Sequence, residues 1–419
     1  MGLFGKSGGA KNNEPLLALD IGTDVVKALV FVPDFKNKKG NVIGVGRTRQ
    51  KYGNMRSGAI SDISGVIEAS QDAIASALRQ AQIKRVKSAI MGIAGELVKG
   101  TTTTVHYERP NPEDKIDLPE LKNIIQKVQW KAYDRIKEQL VWELGRDIDI
   151  KLINAAIVDV RIDGYRITNP LDFQGKSVSV SIFNAYAPML HLGALDSIAK
   201  ELKVDLMSIA AEPFAVSSSV GYEDALDFSA IFIDVGGGTT DVAVVRNGGL
   251  EGTKMFALGG RAFTHRLEKE LNVNFDEAEA LKLKYSHGKL ARESTEQINR
   301  FLEGDSQVWV GGVELSLMEF AETDLLPSTI YLCGGGSGLP NLQAALMRPE
   351  WTQNLPFTKT PKISFLQPKD VAHIVDQTGM LVSPQDVTPM GLANLAIDLA
   401  DNERVMANIL RRAMRSIQS

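Results

Sequence analysis

Three short glycine-rich stretches, each placed directly after an apolar run, constrain this chain more than any other feature. Asp20-Ile21-Gly22-Thr23 follows Leu16-Leu17-Ala18-Leu19, and Asp234-Val235-Gly236-Gly237-Gly238-Thr239-Thr240-Asp241 follows Ala230-Ile231-Phe232-Ile233. Cys333-Gly334-Gly335-Gly336-Ser337 follows Ile330-Tyr331-Leu332. A buried strand that runs into a tight glycine turn brings backbone N–H groups close to phosphate oxygens. The first two turns also carry acids, Asp20 and Asp234, that could hold a metal. Three such turns at wide spacing point to two similar lobes closing on one nucleotide.

The middle stretch is the most informative. Gly236, Gly237 and Gly238 let the turn approach a phosphate with no Cβ in the way. Thr239 and Thr240 add hydroxyl donors, and the apolar strand Val242–Val245 completes a hairpin. Alone, the stretch also fits a structural glycine turn; with Asp20-Ile21-Gly22-Thr23 it reads as a duplicated phosphate hairpin. It is not a dinucleotide fingerprint, because no third glycine opens a helix. Nor is the late run a nucleophile elbow, since the fifth position counted from Gly335 is Leu339.

The rest of the chain reads as strands alternating with helices, the pattern of an α/β layered lobe. Apolar residues near helical spacing run from Val66 to Ala81, and Ser88–Ala94 returns to strand. Between Val98 and Pro188 the character changes to strand, helix (Pro119 to about Gly145), strand, strand, a small inserted subdomain. The expected organisation is a mobile tail over 1–13 and a first lobe over 14–97. The insert over 98–188 follows, with the first lobe again over 189–227. A second lobe covers 228–375, the first lobe resumes over 376–402, and a basic helix ends the chain over 403–419.

At 419 residues the chain is long enough for two substantial cores. A formal net charge of −4 gives no global basic field for nucleic acid. The single cysteine, Cys333, excludes a disulfide framework, fits a reducing cytoplasm, and reads as a small packing residue. No apolar run approaches the ~20 residues needed to span a bilayer. Residues 1–6 offer neither a signal peptide nor the Ser/Thr of a myristoylation site.

The order of these motifs resembles the actin/Hsp70/sugar-kinase superfamily of ATPases from Leu16 to about Leu399. The resemblance implies an α/β fold: actin-like (ribonuclease H-like), two-lobed, with an inserted small α+β subdomain. It implies ATP and Mg as cofactors. In that superfamily the first two turns wrap the phosphates, which carries to Gly22, Thr23, Asp24, Gly236, Gly237, Gly238 and Thr239, with Asp20 and Asp234 holding the metal. The late turn, Gly334, Gly335, Gly336 and Ser337, closes on the adenosine. Glu212-Pro213-Phe214-Ala215 looks like the segment linking the lobes, and Glu212 is its candidate catalytic acid, orienting the attacking water. Ala278–Lys282 resembles the helix whose acid and lysine, here Glu279 and Lys282, reach the ribose and base.

The insert resembles the extra subdomain of the FtsA family of actin-like division proteins. Met55–Asp62, Asp163–Leu171 and Gly175–Val178 look like FtsA segments in order and position. One departure is Val25, where FtsA usually carries a lysine; Val26-Lys27-Ala28 looks more like the related type IV pilus protein PilM. The FtsA resemblance implies self-association into filaments, the tubulin-like GTPase FtsZ as partner, and a peripheral position on the cytoplasmic face of the membrane. It also implies slow Mg-dependent ATP hydrolysis that acts as a switch. A PilM-like scaffold remains the alternative, a small-molecule kinase would leave the insert unexplained, and an Hsp70-type chaperone lacks room for a peptide domain.

The tail carries a separate mechanism. At ~100° per residue, Val405, Met406, Ile409, Leu410, Ala413, Met414 and Ile417 share one half of a helix. Arg404, Arg411, Arg412 and Arg415 gather opposite. An apolar face beside a purely basic one suits an anionic membrane surface and resembles the FtsA anchor. The other reading is a last helix docked on the first lobe.

Overall fold

A computed structural model of the chain describes residues 14–95, 98–220, 228–321 and 324–400. The tail residues from Val405 to Arg415 singled out for a membrane lie outside them.

The first lobe opens with β1 (Leu16–Ile21), β2 (Val25–Asp34) and β3 (Lys39–Arg49), an antiparallel meander. A two-residue pair, β4 (Met55–Arg56) and β5 (Ala59–Ile60), leads to helix α1 (Ile63–Ala81) and β6 (Ser88–Ile93), which lies parallel to β1. Asp62 caps α1 by accepting the Ser64 N–H, satisfying an otherwise unpaired first-turn donor. Val66, Ala69, Ala73, Ile74 and Ala77 form the buried stripe of α1. That stripe lies so close to β3 that a Cβ on Gly46 would stand 1.8 Å from the Ala73 carbonyl oxygen. Gly46→Ala is therefore expected to cost about 1–3 kcal/mol or more through overpacking, checked by the urea midpoint against wild type.

The insert follows as β7 (Lys99–Glu108), α2 (Leu118–Leu144), β8 (Ile150–Ile162), β9 (Tyr165–Arg166) and β10 (Ser177–Pro188). Helix α2 starts at the Asp117 cap, with a proline in its first turn, and ends at Gly145, whose φ of 65° is the left-handed conformation that favours glycine. Leu121, Ile124, Val128, Ala132, Ile136 and Leu140 face its strands. The threonine run 101–104 lies within β7.

Helix α3 (Met189–Glu201), strand β11 (Asp205–Ala211) and the short helix α4 (Glu212–Ser217) return to the first lobe. The second lobe then repeats the first: β12 (Ala230–Val235), β13 (Thr240–Arg246) and β14 (Gly249–Phe256) form a meander. Helices α5 (Gly260–Leu271), α6 (Phe275–Ser286) and α7 (Arg292–Ala321) precede β15 (Thr329–Cys333), α8 (Pro340–Leu346) and β16 (Lys362–Phe365). As β6 does beside β1, β15 lies parallel to β12. Strand β17 (Ile374–Asp376) pairs with β3, so the chain rejoins the first lobe's sheet ahead of the expected position 376. Helix α9 (Val387–Ala400) completes that lobe.

The first sheet has the order β11-β6-β1-β2-β3-β17, and the second β16-β15-β12-β13-β14-β7-β10-β8-β9. The insert is thus not a free appendage. Its strand β7 hydrogen-bonds to β14, pairing Gly252 with Thr101 and Thr253 with Gly100. It also keeps its own apolar core between α2 and the strands. Cys333 is fully buried, and burial pushes its thiol well above the usual range, as expected of a packing residue.

Candidate functional site

The two hairpin turns meet head to head. A Cβ on Gly237 would stand 2.8 Å from the Cβ of Asp24, and one on Gly238 would stand 2.9 Å from the Thr23 hydroxyl. Only glycine lets these backbones approach so closely. Thr23 also accepts the Gly58 N–H at 3.2 Å, tying the first turn to the β4–β5 pair. The third turn abuts the second. Gly334, at φ 84°, sits where a Cβ would overlap the Asp234 carboxylate, and Gly336 packs on Val235 and Gly236. Ser337 is buried and donates its hydroxyl to the Gly334 carbonyl. All three turns therefore converge, Gly335 being the exposed member of the last.

Behind the turns lie the acids. Asp20 and Lys27 are directly opposite on β1 and β2, with the ammonium 2.9 Å from the carboxylate. The second hairpin has the same spacing with a different pair: Asp234 is directly opposite Asp241 on β12 and β13. Cross-strand opposite charges stabilise a hairpin and like charges weaken it. Glu212, at the start of α4, is buried, and Gly92 on β6 makes room for its carboxylate: a Cβ there would stand 2.8 Å from Oε1.

Burial, followed by the nearby Asp20, Asp241 and Asp234, holds the Glu212 carboxyl well above the usual range, with Lys27 opposing. Burial likewise raises Asp234, which the Thr388 hydroxyl (2.6 Å) and Lys27 partly offset. Asp241 is raised well above its ordinary value by burial and by Asp234. Burial acts to lower the Lys27 ammonium, but the charge and hydrogen bond of Asp20, with Asp234 and Glu212, together outweigh it and the net shift is upward. Glu212 Oε1 and Asp241 Oδ1 have no hydrogen-bond partner. This excess of carboxylate over ammonium, with orphaned buried oxygens, is the chemistry of a hard-cation site. Among the described residues no group of three or more such side chains is placed to hold a metal ion directly.

The second turn is braced by α5. Gly260 and Arg261 donate their N–H groups to the carbonyls of Gly236 and Gly237 at 2.9 and 2.8 Å. Lys282 on α6 donates to the Gly260 carbonyl at 2.9 Å and to the Thr264 hydroxyl at 2.7 Å, and pairs with Glu279 at 2.7 Å. Glu279 and Lys282 are thus buried beside the turns. Burial lowers the Lys282 ammonium despite Glu279. Arg261 reaches across the lobes to Asp24 at 3.3 Å.

Sequence reasoning gathered the turns and Glu212 but missed Lys27, Asp241, Arg261 and Thr388. The equal Asp20–Lys27 and Asp234–Asp241 spacing was the available signal for the first two. Thr240 was expected to offer a free hydroxyl; instead it donates to the Leu258 carbonyl and accepts the Trp309 indole N–H, so it holds the core.

Residues 231–373 match the family model described as cell division protein FtsA. The FtsA of Bacillus subtilis (strain 168) is 26% identical over 353 residues, covering 80% of this chain and 76% of that protein. The FtsA of Streptococcus pneumoniae is 28% identical over 343 residues, covering 77% and 71%. In structure, a chain of the PilM–PilN type IV pilus biogenesis complex superposes with a TM-score of 0.65 at 16% identity, covering 92% of this chain and 99% of that one. The chain has an actin-like fold and is related in sequence to the FtsA proteins of bacterial cell division.

Proposed function

We propose that this chain binds Mg-ATP between its lobes and serves the bacterial division machinery. In this reading it polymerises into actin-like filaments on the cytoplasmic face of the membrane and anchors the tubulin-like GTPase FtsZ. The observation that carries it is the convergence of both hairpins on Asp20, Asp234, Glu212 and Lys27. Likeness to FtsA supports the division role.

The turns at Gly22–Asp24 and Gly236–Thr239 part to admit the phosphates and surround them with backbone donors. Asp20 and Asp234 would hold the metal. Bound Mg supplies charge neutralisation at the phosphate oxygens. Glu212, its proton affinity raised by burial, orients the attacking water and draws its proton. Gly334, Gly335, Gly336 and Ser337 close on the adenosine. Lys282 and Glu279 flank the ribose and base once the ammonium turns from Gly260. Turnover is slow and serves as a switch on polymer state.

No described helix is long and apolar enough to cross a membrane. Attachment falls to the basic amphipathic tail, through Val405, Met406, Ile409, Leu410 and Met414 with Arg411, Arg412 and Arg415. Such an anchor is weak singly and strengthened by many copies in a filament. With Mg-ATP, the full chain is expected to form filaments that sediment with anionic vesicles, and deletion of 404–419 to abolish sedimentation while sparing ATP binding. Equal sedimentation of the deletion variant would remove the tail from the account. A second reading, a PilM-like pilus scaffold, is favoured by the structural superposition. Capture of FtsZ or of a pilus-protein peptide separates the two.

A further inference from the structure

Strand β11 is the last strand of the first sheet; one edge pairs with β6, and among the described residues no strand forms a ladder on the other. On such an edge a carbonyl and the N–H two residues later point the same way and need partners. Here a single side chain from the insert supplies both. Asn154 on β8 is 5% exposed; its Oδ1 accepts the Ala211 N–H at 2.8 Å, and its Nδ2 donates to the Ile209 carbonyl at 3.5 Å. A side-chain amide carries one acceptor and one donor side by side, so it stands in for a neighbouring strand.

Ala211 immediately precedes Glu212 and is the cap residue of α4, where no side chain caps the helix. Pro213, next in line, has no N–H to anchor the turn. Two contacts flank the segment instead: β6 on one side and Asn154 on the other. Gly391 of α9 lies beneath α4, where a Cβ would stand 2.9 Å from the Ala215 carbonyl. The Glu212 carboxylate itself has an unpartnered oxygen, so its backbone, more than its side-chain bonds, sets where it points.

We propose that Asn154 is a positioning residue for Glu212, so that the inserted subdomain takes part in the geometry of water activation. The proposal rests on the reading of Glu212 as the water-orienting acid. It gives the insert a mechanical role: β7 joins it to β14 in the second lobe while Asn154 joins it to β11 in the first.

The test compares ATP turnover, ATP affinity and backbone amide exchange over residues 209–212 in the full chain. The variants are Asn154→Ala, Asn154→Asp and Glu212→Gln, each first checked for wild-type circular dichroism. Asn154→Ala is expected to lower kcat about 10- to 100-fold, the scale of a misplacement near 1 Å, with ATP affinity within about threefold and faster exchange over 209–212. Asn154→Asp keeps the oxygen that accepts the Ala211 N–H and is expected to recover much of the rate and the protection. Wild-type turnover by Asn154→Ala, beside an impaired Glu212→Gln, overturns the positioning role alone. Wild-type turnover by Glu212→Gln overturns the reading of Glu212 and this proposal with it. A loss in Asn154→Ala that Asn154→Asp does not recover, or one matched by lost ATP affinity, marks a purely structural residue and overturns the proposal.

Discussion

Asp234→Asn is expected to weaken Mg-ATP binding about 100-fold, or ~2.7 kcal/mol, and at the same time to stabilise the nucleotide-free protein at neutral pH. The first effect follows from removing a buried charge whose counterion is the bound metal, a loss of a few kcal/mol. The second follows from burial. Asp234 is held above its ordinary value of 3.8, chiefly by desolvation, so the folded state grips its proton more tightly than the unfolded chain does. Stability is therefore lost as pH rises through the folded value, and ionised Asp234 weakens the fold at pH 7. Asparagine keeps an oxygen for the Thr388 hydroxyl and removes that cost. The stability gain should shrink on acidification toward the unfolded carboxylate value, because wild-type Asp234 is then neutral too. Titration calorimetry and urea unfolding at two pH values read both effects; normal Mg-ATP affinity in the variant would defeat the site assignment.

Lys27→Met is expected to destabilise the chain by about 3–5 kcal/mol, the cost of leaving a buried carboxylate without its partner. Lys27 faces Asp20 at 2.9 Å and also acts on Asp234 and Glu212, so its loss leaves several acids uncompensated. Its pKa is raised above 10.5 in the folded state. The stabilisation is thus fully present below that value and is lost only as pH rises through the folded one. The deficit should span the neutral range and narrow in acid, where Glu212 and Asp234 take up protons. A urea midpoint within error of wild type at pH 7 would show that Lys27 does not neutralise the cluster.

The three turns were legible because each needs glycine for close approach and each follows an apolar strand, signals that are local in the chain. The same holds for α2, expected from Pro119 to about Gly145 and observed between the caps Asp117 and Gly145. Lys27 was not legible in this way. In a strand a lone lysine among apolar residues reads as a solvent-facing position, and only the hairpin register puts it opposite Asp20. Thr388 and Asn154 reach their partners across 154 and 57 residues of chain, distances at which no periodicity carries information. Continuity of the insert with the second sheet is hidden for a related reason: two residue pairs between β7 and β14 leave no pattern in either strand. The burial of Glu279 and Lys282 is not visible in α6 alone, which alternates charged and apolar residues; it comes from α5 packing against them.

The measurement that bears most directly on the central claim is a calorimetric titration of the full wild-type chain with ATP, once with magnesium and once with a chelator. Saturable binding of one ATP per chain that weakens sharply when magnesium is removed is the predicted result. No saturable binding at millimolar ATP, or affinity indifferent to magnesium, would contradict a Mg-ATP site between the two hairpins.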